Sequence, residues 1–139
     1  MSRVEARPRL RFTSFALERL SSGQCRAVVT LNLPGTQQYV GQADGLTSPL
    51  GELRCAAQAC IHAIAQAVHD PGFELVGVKA IRAFDATVVI VSLSIQGAEH
   101  HGPRIVGSCL TQDDAPRGAA LAVLNGTNRL LSGRHLHRA

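Results

Sequence analysis

The sequence predicts a single α+β domain built from two βββα units that share one core. Three observations support this fold class: two sets of alternating apolar residues typical of antiparallel strands, an alanine-rich helical stretch after each set, and the same order in both halves. A chain of 139 residues fits one domain and can bury a core. Aromatic residues make up 4% and tryptophan is absent, so the core should be aliphatic and rich in alanine.

The first unit, residues 9–69, opens with three predicted strands. Apolar residues change parity midway through residues 9–17, which indicates a β-bulge. Residues 25–33 have an apolar residue at every second position, with mostly polar residues between them, and predict a half-buried strand. A turn at Pro34 then leads into a third strand at residues 37–43.

A helix is predicted to close the first unit. Ser48 is a suitable N-cap, Pro49 suits the first helical position, and Glu52 suits the positive end of the helix dipole. Residues 70–72, Asp-Pro-Gly, should end the helix. The apolar stripe expected to face the core comprises Leu53, Ala56, Ala57, Cys60, Ile61, Ile64 and Val68.

The second unit, residues 73–131, repeats this plan. Strands are predicted at residues 73–82, 87–95 and 104–111, and a helix follows. The helical stripe comprises Ala119, Ala120, Val123, Leu124, Thr127 and Leu131.

Short segments also match between the halves, which favours an internal duplication. Because each half alone is too small for a good core, the two should pack together. The matching pairs are 40–41 with 106–107, 54–57 with 117–120, and 27–31 with 88–92.

Charge and cysteine content restrict the partners and the compartment. The net charge is +4, and much of the basic excess lies in or beside an N-terminal arm, residues 1–8, and a basic C-terminal tail, residues 132–139. The arginines concerned are Arg3, Arg7, Arg9 and Arg11 near the start and Arg129, Arg134 and Arg138 near the end, so we expect no nucleic-acid partner. No apolar stretch reaches the ~18 residues that would indicate a membrane span, and the N-terminus does not resemble a signal peptide. We therefore expect a cytoplasmic protein with no membrane partner. Its four cysteines, Cys25, Cys55, Cys60 and Cys109, should be reduced and act as small hydrophobic residues.

We expect no metal, no cofactor and no catalytic residues. Glu99, His100 and His101 lie in a predicted loop, where adjacent side chains cannot easily share one metal ion, and the role of this loop stays open. His135 and His137 lie in the predicted tail. No nucleophile and base occur in a recognisable catalytic context.

A small-molecule site is predicted at the two turns that precede the helices. Helix N-terminal N–H groups can receive a carboxylate, an arginine in the first turns can add a charged donor, and an aspartate can receive an ammonium group. The alternative is that both turns serve only as helix caps. The candidate ligand-binding residues are Gly41, Asp44, Gly45, Ser48 and Arg54 in the first unit and Gly107, Asp113, Asp114 and Arg117 in the second.

Two segments resemble a known family. The segment PGFELVGVKAIRAFDATVVIVSLSIQG, residues 71–97, is similar to a strand–turn–strand region of the C-terminal regulatory (allosteric, dimerisation) domain of 2-isopropylmalate synthase and citramalate synthase. The segment RIVGSCLTQDDAPRGAALAVLNGTNRLL, residues 104–131, is similar to that domain's closing strand, turn and helix. The resemblance extends from about residue 9 to residue 131, although residues 44–49 replace the family's Gly-x-Gly-Pro turn.

The resemblance implies a stand-alone, non-catalytic regulatory module that forms a homodimer and binds an amino or keto acid near these turns. The alternative is a protein-interaction subunit of a separately encoded enzyme, with no ligand of its own. A strand, a glycine turn and a helix with Ala-Ala are also similar to the C-terminal half of a double-stranded-RNA-binding domain. That module needs lysines where this helix begins with Glu52 and Arg54.

Overall fold

The computed structural model describes residues 9–34, 37–97 and 104–135, the last four by their backbone alone. These residues form six strands and two α-helices, with a short 3₁₀ turn between the first two strands. The elements are β1 (Arg11–Arg19), β2 (Gln24–Asn32), β3 (Gln38–Leu46), α1 (Pro49–Ala67), β4 (Phe73–Ala83), β5 (Ala86–Ile95), β6 (Ile105–Thr111) and α2 (Ala115–His135).

The predicted α+β fold with its βββα-βββα order is confirmed. Strands β1-β2-β3 form one antiparallel sheet and β4-β5-β6 form another. Helix α1 packs on β2 and β3, α2 packs on β5 and β6, and the helices pack on each other. Each helix also contacts the first strand of the other unit, so the two units share one core.

The central strand of each sheet supplies much of that core. Alternate side chains of β2 are fully buried because they face α1, whereas the intervening ones are half-buried on the outer face. Strand β5 behaves in the same way. The buried residues are Cys25, Ala27, Val29 and Leu31 in β2 and Val89, Val91 and Leu93 in β5.

The predicted bulge in β1 is confirmed by a register shift between Phe12 and Ser14. Strand β4 has the same irregularity between Leu75 and Gly77, which the sequence pattern did not indicate. Phe12 and Leu75 therefore occupy equivalent positions in the two units, each immediately before the shift.

Both α-helices have a capped N-terminus, including the predicted cap at Ser48. The Gly51 backbone N–H donates to Ser48 Oγ at 3.0 Å, and Pro49 occupies the first helical position. The Arg117 N–H donates to Asp114 Oδ1 at 3.2 Å. Helix α2 continues to His135, so its last four residues belong to a segment that the sequence suggested was a tail.

Strand β3 is longer than the sequence predicted, which changes the interpretation of the turn before α1. Residues 41–46 pair with β2 in an unbroken register that ends with Leu46 opposite Gln24. Residues 44–46, which the sequence suggested belong to the turn before α1, are therefore strand. Two contacts accompany this extension of the strand: the Arg26–Asp44 ion pair across β2 and β3, and the close approach of Gly45 to Cys55 of α1.

The paired glycines of the duplication lie where strand and helix approach most closely. A Cβ atom on Gly41 would lie 2.1 Å from the Ala59 carbonyl oxygen, and one on Gly107 would lie 2.0 Å from the Ala122 carbonyl oxygen. Only glycine permits this packing.

The sequence match between the central strands was wrong by one residue. Val29 pairs with Gly41 and Val91 pairs with Gly107, so Ala27 corresponds to Val89 and not to Val88. A shift of one residue in a strand exchanges its two faces, and only the corrected match keeps buried residues opposite buried residues.

Candidate functional site

A cleft opens beside α1 where β3 ends and the helix begins. It encloses about 320 Å³, a size that suits a small molecule. We call it the β3–α1 cleft. Its lining residues are Asp44, Gly45, Leu46, Gly51, Arg54, Cys55, Gln58 and Leu75. Leu75 comes from β4, so both units of the duplication contribute to the cleft.

The cleft carries one unpaired cation and one ionised carboxylate. Arg54 is exposed on the first turns of α1, and no residue in the described part of the chain pairs with its guanidinium group. Asp44 accepts hydrogen bonds from Arg26 Nε at 2.8 Å and from its terminal nitrogen at 3.1 Å. The hydrogen bonds from Arg26 lower the pKa of the Asp44 carboxyl below its ordinary value, so this group is ionised at neutral pH.

The floor and one wall of the cleft are apolar. The Cys55 thiol is buried and donates to the Ala43 carbonyl oxygen at 2.9 Å. Desolvation, with smaller contributions from Cys25, raises the pKa of Cys55 to about 12, so it remains a thiol and not a nucleophilic thiolate. Leu46, which is 65% exposed, and the half-buried Leu75 provide aliphatic surface.

The first N–H groups of α1 already donate hydrogen bonds to Ser48, which precedes the helix. Besides the Ser48 cap, the Glu52 N–H donates to the Ser48 carbonyl oxygen at 2.8 Å. The Glu52 carboxylate accepts two hydrogen bonds from Arg19, at 3.0 and 3.1 Å. The structure of this helix end therefore fits the alternative that the turn serves as a cap. The positive group that a ligand could contact is the Arg54 side chain and not the helix N-terminus.

The equivalent position in the second unit is closed. Arg117, which corresponds to Arg54, lies over the Phe12 ring with its guanidinium carbon 5.1 Å from the ring centroid. Phe12, from β1 of the first unit, in turn corresponds to Leu75, from β4 of the second unit, which lines the β3–α1 cleft. A Cβ atom on Gly118 would lie 3.2 Å from Thr111 Cγ2, so the strand and the helix also meet closely there. Of these two equivalent positions, the described residues leave the one beside α1 open, with an arginine that has no partner among them.

The structure brings together some of the predicted site residues and separates others. Asp44, Gly45 and Arg54 line the same cleft. Gly41 and Gly107 are buried beneath the helices. Ser48 caps the N-terminus of α1 and Asp114 caps that of α2. Asp113 is exposed in the turn before α2, and Arg117 lies over Phe12.

Five lining residues were not among the predicted site residues: Leu46, Gly51, Cys55, Gln58 and Leu75. Gln58 lies one helical turn after Arg54, so the i, i+4 spacing on α1 could have placed it on the same face. No local pattern could have found Leu75, because it reaches the cleft through the packing of β4 against α1.

Within residues 9–34, 37–97 and 104–135, no three potential metal-ligating side chains lie together. The predicted loop histidines, His100 and His101, and the neighbouring Glu99 lie outside the described residues, as does His137. Neither helix in the described part of the chain combines the length and the apolar character that crossing a membrane requires.

Comparison of the chain with protein-family models finds no match, and comparison with curated proteins finds none either.

Proposed function

We propose that the chain is a non-catalytic regulatory domain that binds a small amino acid or keto acid in the β3–α1 cleft. One observation carries the proposal: a guanidinium group with no partner in the described part of the chain, an ionised carboxylate and aliphatic surface line a single cleft of about 320 Å³. The resemblance to the regulatory domain of 2-isopropylmalate synthase supports the same class of ligand.

An amino acid matches the charges of the cleft. Its carboxylate would accept two parallel hydrogen bonds from Arg54, and its ammonium group would donate to Asp44. A carboxylate has about four acceptor positions, so Asp44 keeps capacity beyond its two bonds to Arg26. An aliphatic side chain would lie against Leu46 and Leu75. A keto acid would use Arg54 alone, whereas Asp44 would repel a phosphate.

The position of the cleft suits regulation because it spans both units. A ligand held by α1 and touching Leu75 of β4 would favour one relative placement of the two units over others. A ligand shifts such an equilibrium by the difference between its affinities for the two arrangements. With the Cys55 thiol protonated, the cleft offers binding groups without an activated thiolate.

We also propose that the domain forms a homodimer through the outer face of the second sheet. Ile81, Val88 and Leu110 lie opposite one another across β4, β5 and β6, and Ile81 and Leu110 are exposed. Phe84, at the adjoining hairpin, is 97% exposed. The equivalent face of the first sheet instead carries a charged row. An exposed apolar row of this kind marks an interaction surface.

The same apolar face also supports the alternative function, a protein-interaction subunit of a separate enzyme. Light scattering at micromolar concentration separates the two. A mass of twice 14.7 kDa is expected for the homodimer, and a monomer would contradict self-association. Recovery of a larger protein together with a monomeric chain would support the alternative. We place the domain in the cytoplasm, in keeping with its four free cysteines.

The ligand proposal is tested by thermal shift followed by calorimetry with a panel of amino acids and keto acids. A bound ligand should raise the melting temperature, by an amount that grows with its concentration above Kd. Arg54→Gln should remove most of the binding, while Arg117→Gln, its counterpart in the closed unit, should retain it. Absence of heat with every compound at millimolar concentration would contradict the proposal.

A further inference from the structure

A second cleft lies on the other unit, between the outer edge of β6 and α2. It encloses about 460 Å³ and is lined by Arg9, Ser108, Asn125 and Arg129. We call it the basic cleft. Arg9 reaches it from the segment just before β1, and the other three come from the second unit.

Two of the lining side chains are held in place by the edge of the sheet. Asn125 Nδ2 donates to the Ser108 carbonyl oxygen at 3.0 Å, and a terminal nitrogen of Arg129 donates to the Val106 carbonyl oxygen at 3.0 Å. Asn125 and Arg129 are four residues apart and therefore lie on one face of α2. A guanidinium group has five N–H donors, so Arg129 retains most of its donors for a ligand.

In the first unit, the equivalent strand edge is hydrogen-bonded by side chains of α1 without an arginine. There His62 Nδ1 lies 2.8 Å from the Gln42 carbonyl oxygen, and Gln66 donates to the Val40 carbonyl oxygen. His62 and Gln66 correspond to Asn125 and Arg129, because Gly41 packs on Ala59 and Ala63 as Gly107 packs on Ala122 and Gly126. The positive charge of Arg129 therefore exceeds what the sheet edge requires.

The cationic charge of the basic cleft is not neutralised within the described chain. The ion pairs in residues 9–34, 37–97 and 104–135 are Arg19–Glu52 and Arg26–Asp44, both in the first unit. Neither Arg9 nor Arg129 has a carboxylate partner there. Two exposed arginines beside an amide and a hydroxyl form a set of donors with no carboxylate among the lining residues.

We infer that the basic cleft binds a small doubly charged oxyanion, a phosphate monoester or a dicarboxylate. Guanidinium groups bind the oxygens of both classes in pairs, and two of them match two negative charges. This ligand differs from the zwitterion proposed for the β3–α1 cleft, since the basic cleft has no carboxylate among its lining residues to receive an ammonium group. The domain would then sense a second metabolite at a separate place.

The test is isothermal titration calorimetry with inorganic phosphate and with malonate. Each probe is titrated once in 20 mM NaCl and once in 300 mM NaCl. We expect heat from at least one of them, with affinity that falls at high salt because the site is exposed. Arg9→Gln and Arg129→Gln should each weaken binding about tenfold. The Arg129→Gln variant should fold normally because Gln66 caps the equivalent edge. Arg82→Gln, an exposed arginine on β4, is the matched control.

The two probes also distinguish the ligand classes. Binding of phosphate without malonate would assign a phosphate monoester, and the converse would assign a dicarboxylate. No heat from either probe at 10 mM in low salt would overturn the inference. Equal affinity in wild type and Arg129→Gln would overturn it too, because the oxyanion would then bind elsewhere. Neither result depends on whether an amino acid binds the β3–α1 cleft.

Discussion

Replacement of Gly41 by alanine should strongly destabilise the domain. The new Cβ atom would lie 2.1 Å from the Ala59 carbonyl oxygen and 2.2 Å from the Ala63 nitrogen. Nonbonded carbon contacts are best at ~3.5 Å, so β3 and α1 would have to separate by about 1 Å. Both contacted atoms belong to the helix backbone, and no side-chain rotation can relieve them.

The size of the effect follows from the overpacking it causes. Overpacked cores lose about 1–3 kcal/mol, and a clash with rigid backbone belongs at the upper end, near 3 kcal/mol. For a domain of this size that loss corresponds to a fall of roughly 10 °C in melting temperature. Urea unfolding followed by circular dichroism measures it, because the chain has no tryptophan to serve as a fluorescent probe.

Gly77→Ala is the matched control. Gly77 also lies in a strand, but a Cβ atom there meets nothing within 4 Å. Alanine at this position should be neutral or should stabilise by ~0.4–1 kcal/mol through the unfolded state. If Gly41→Ala kept wild-type stability within about 0.5 kcal/mol, the close packing of β3 on α1 would be refuted.

Three further outcomes are expected. Ala57→Leu should cost about 1–3 kcal/mol in urea unfolding because Ala57 is fully buried, and wild-type stability would show that α1 is wrongly placed. A thiol reagent at pH 8 should modify half-buried Cys109 first and the buried Cys25, Cys55 and Cys60 only on unfolding; rapid reaction of all four would contradict their burial. Burial raises the pKa of Cys55 from 9.0 to about 12, so its stabilising contribution is complete below pH 9 and is lost as the pH rises towards 12. The unfolding free energy should therefore fall across that range, by up to about 1.4 kcal/mol per pH unit for this thiol, and a flat profile would contradict the raised pKa.

The elements predicted best were those with strong local signals. Strand β2 has an apolar residue at every second position, and each of these residues is buried whereas its neighbours are not. The α1 cap was predicted because Ser48 and Pro49 have conformational preferences that are met locally.

The errors arose where tertiary contacts outweigh local preference. Asp44 and Gly45 are residues that strands disfavour, so their segment suggested a loop. In the structure the Arg26–Asp44 ion pair and the contact between Gly45 and Cys55 extend the strand. The composition of the β3–α1 cleft was therefore predictable only in part. Arg54 and Asp44 were identified by charge, whereas Leu75 depends on how the second unit packs against the first.

The central claim is that one open cleft in the first unit binds an amino or keto acid, and an NMR titration tests it most directly. Amide resonances of a ¹⁵N-labelled protein would be followed as the best compound from the thermal-shift panel is added. Saturable shifts are expected at Asp44, Gly45, Arg54, Gln58 and Leu75, with none at Arg117 or Gly118 in the closed unit. Loss of these shifts in Arg54→Gln would complete the agreement. Unchanged spectra at millimolar ligand, or shifts centred on the second unit, would contradict the account.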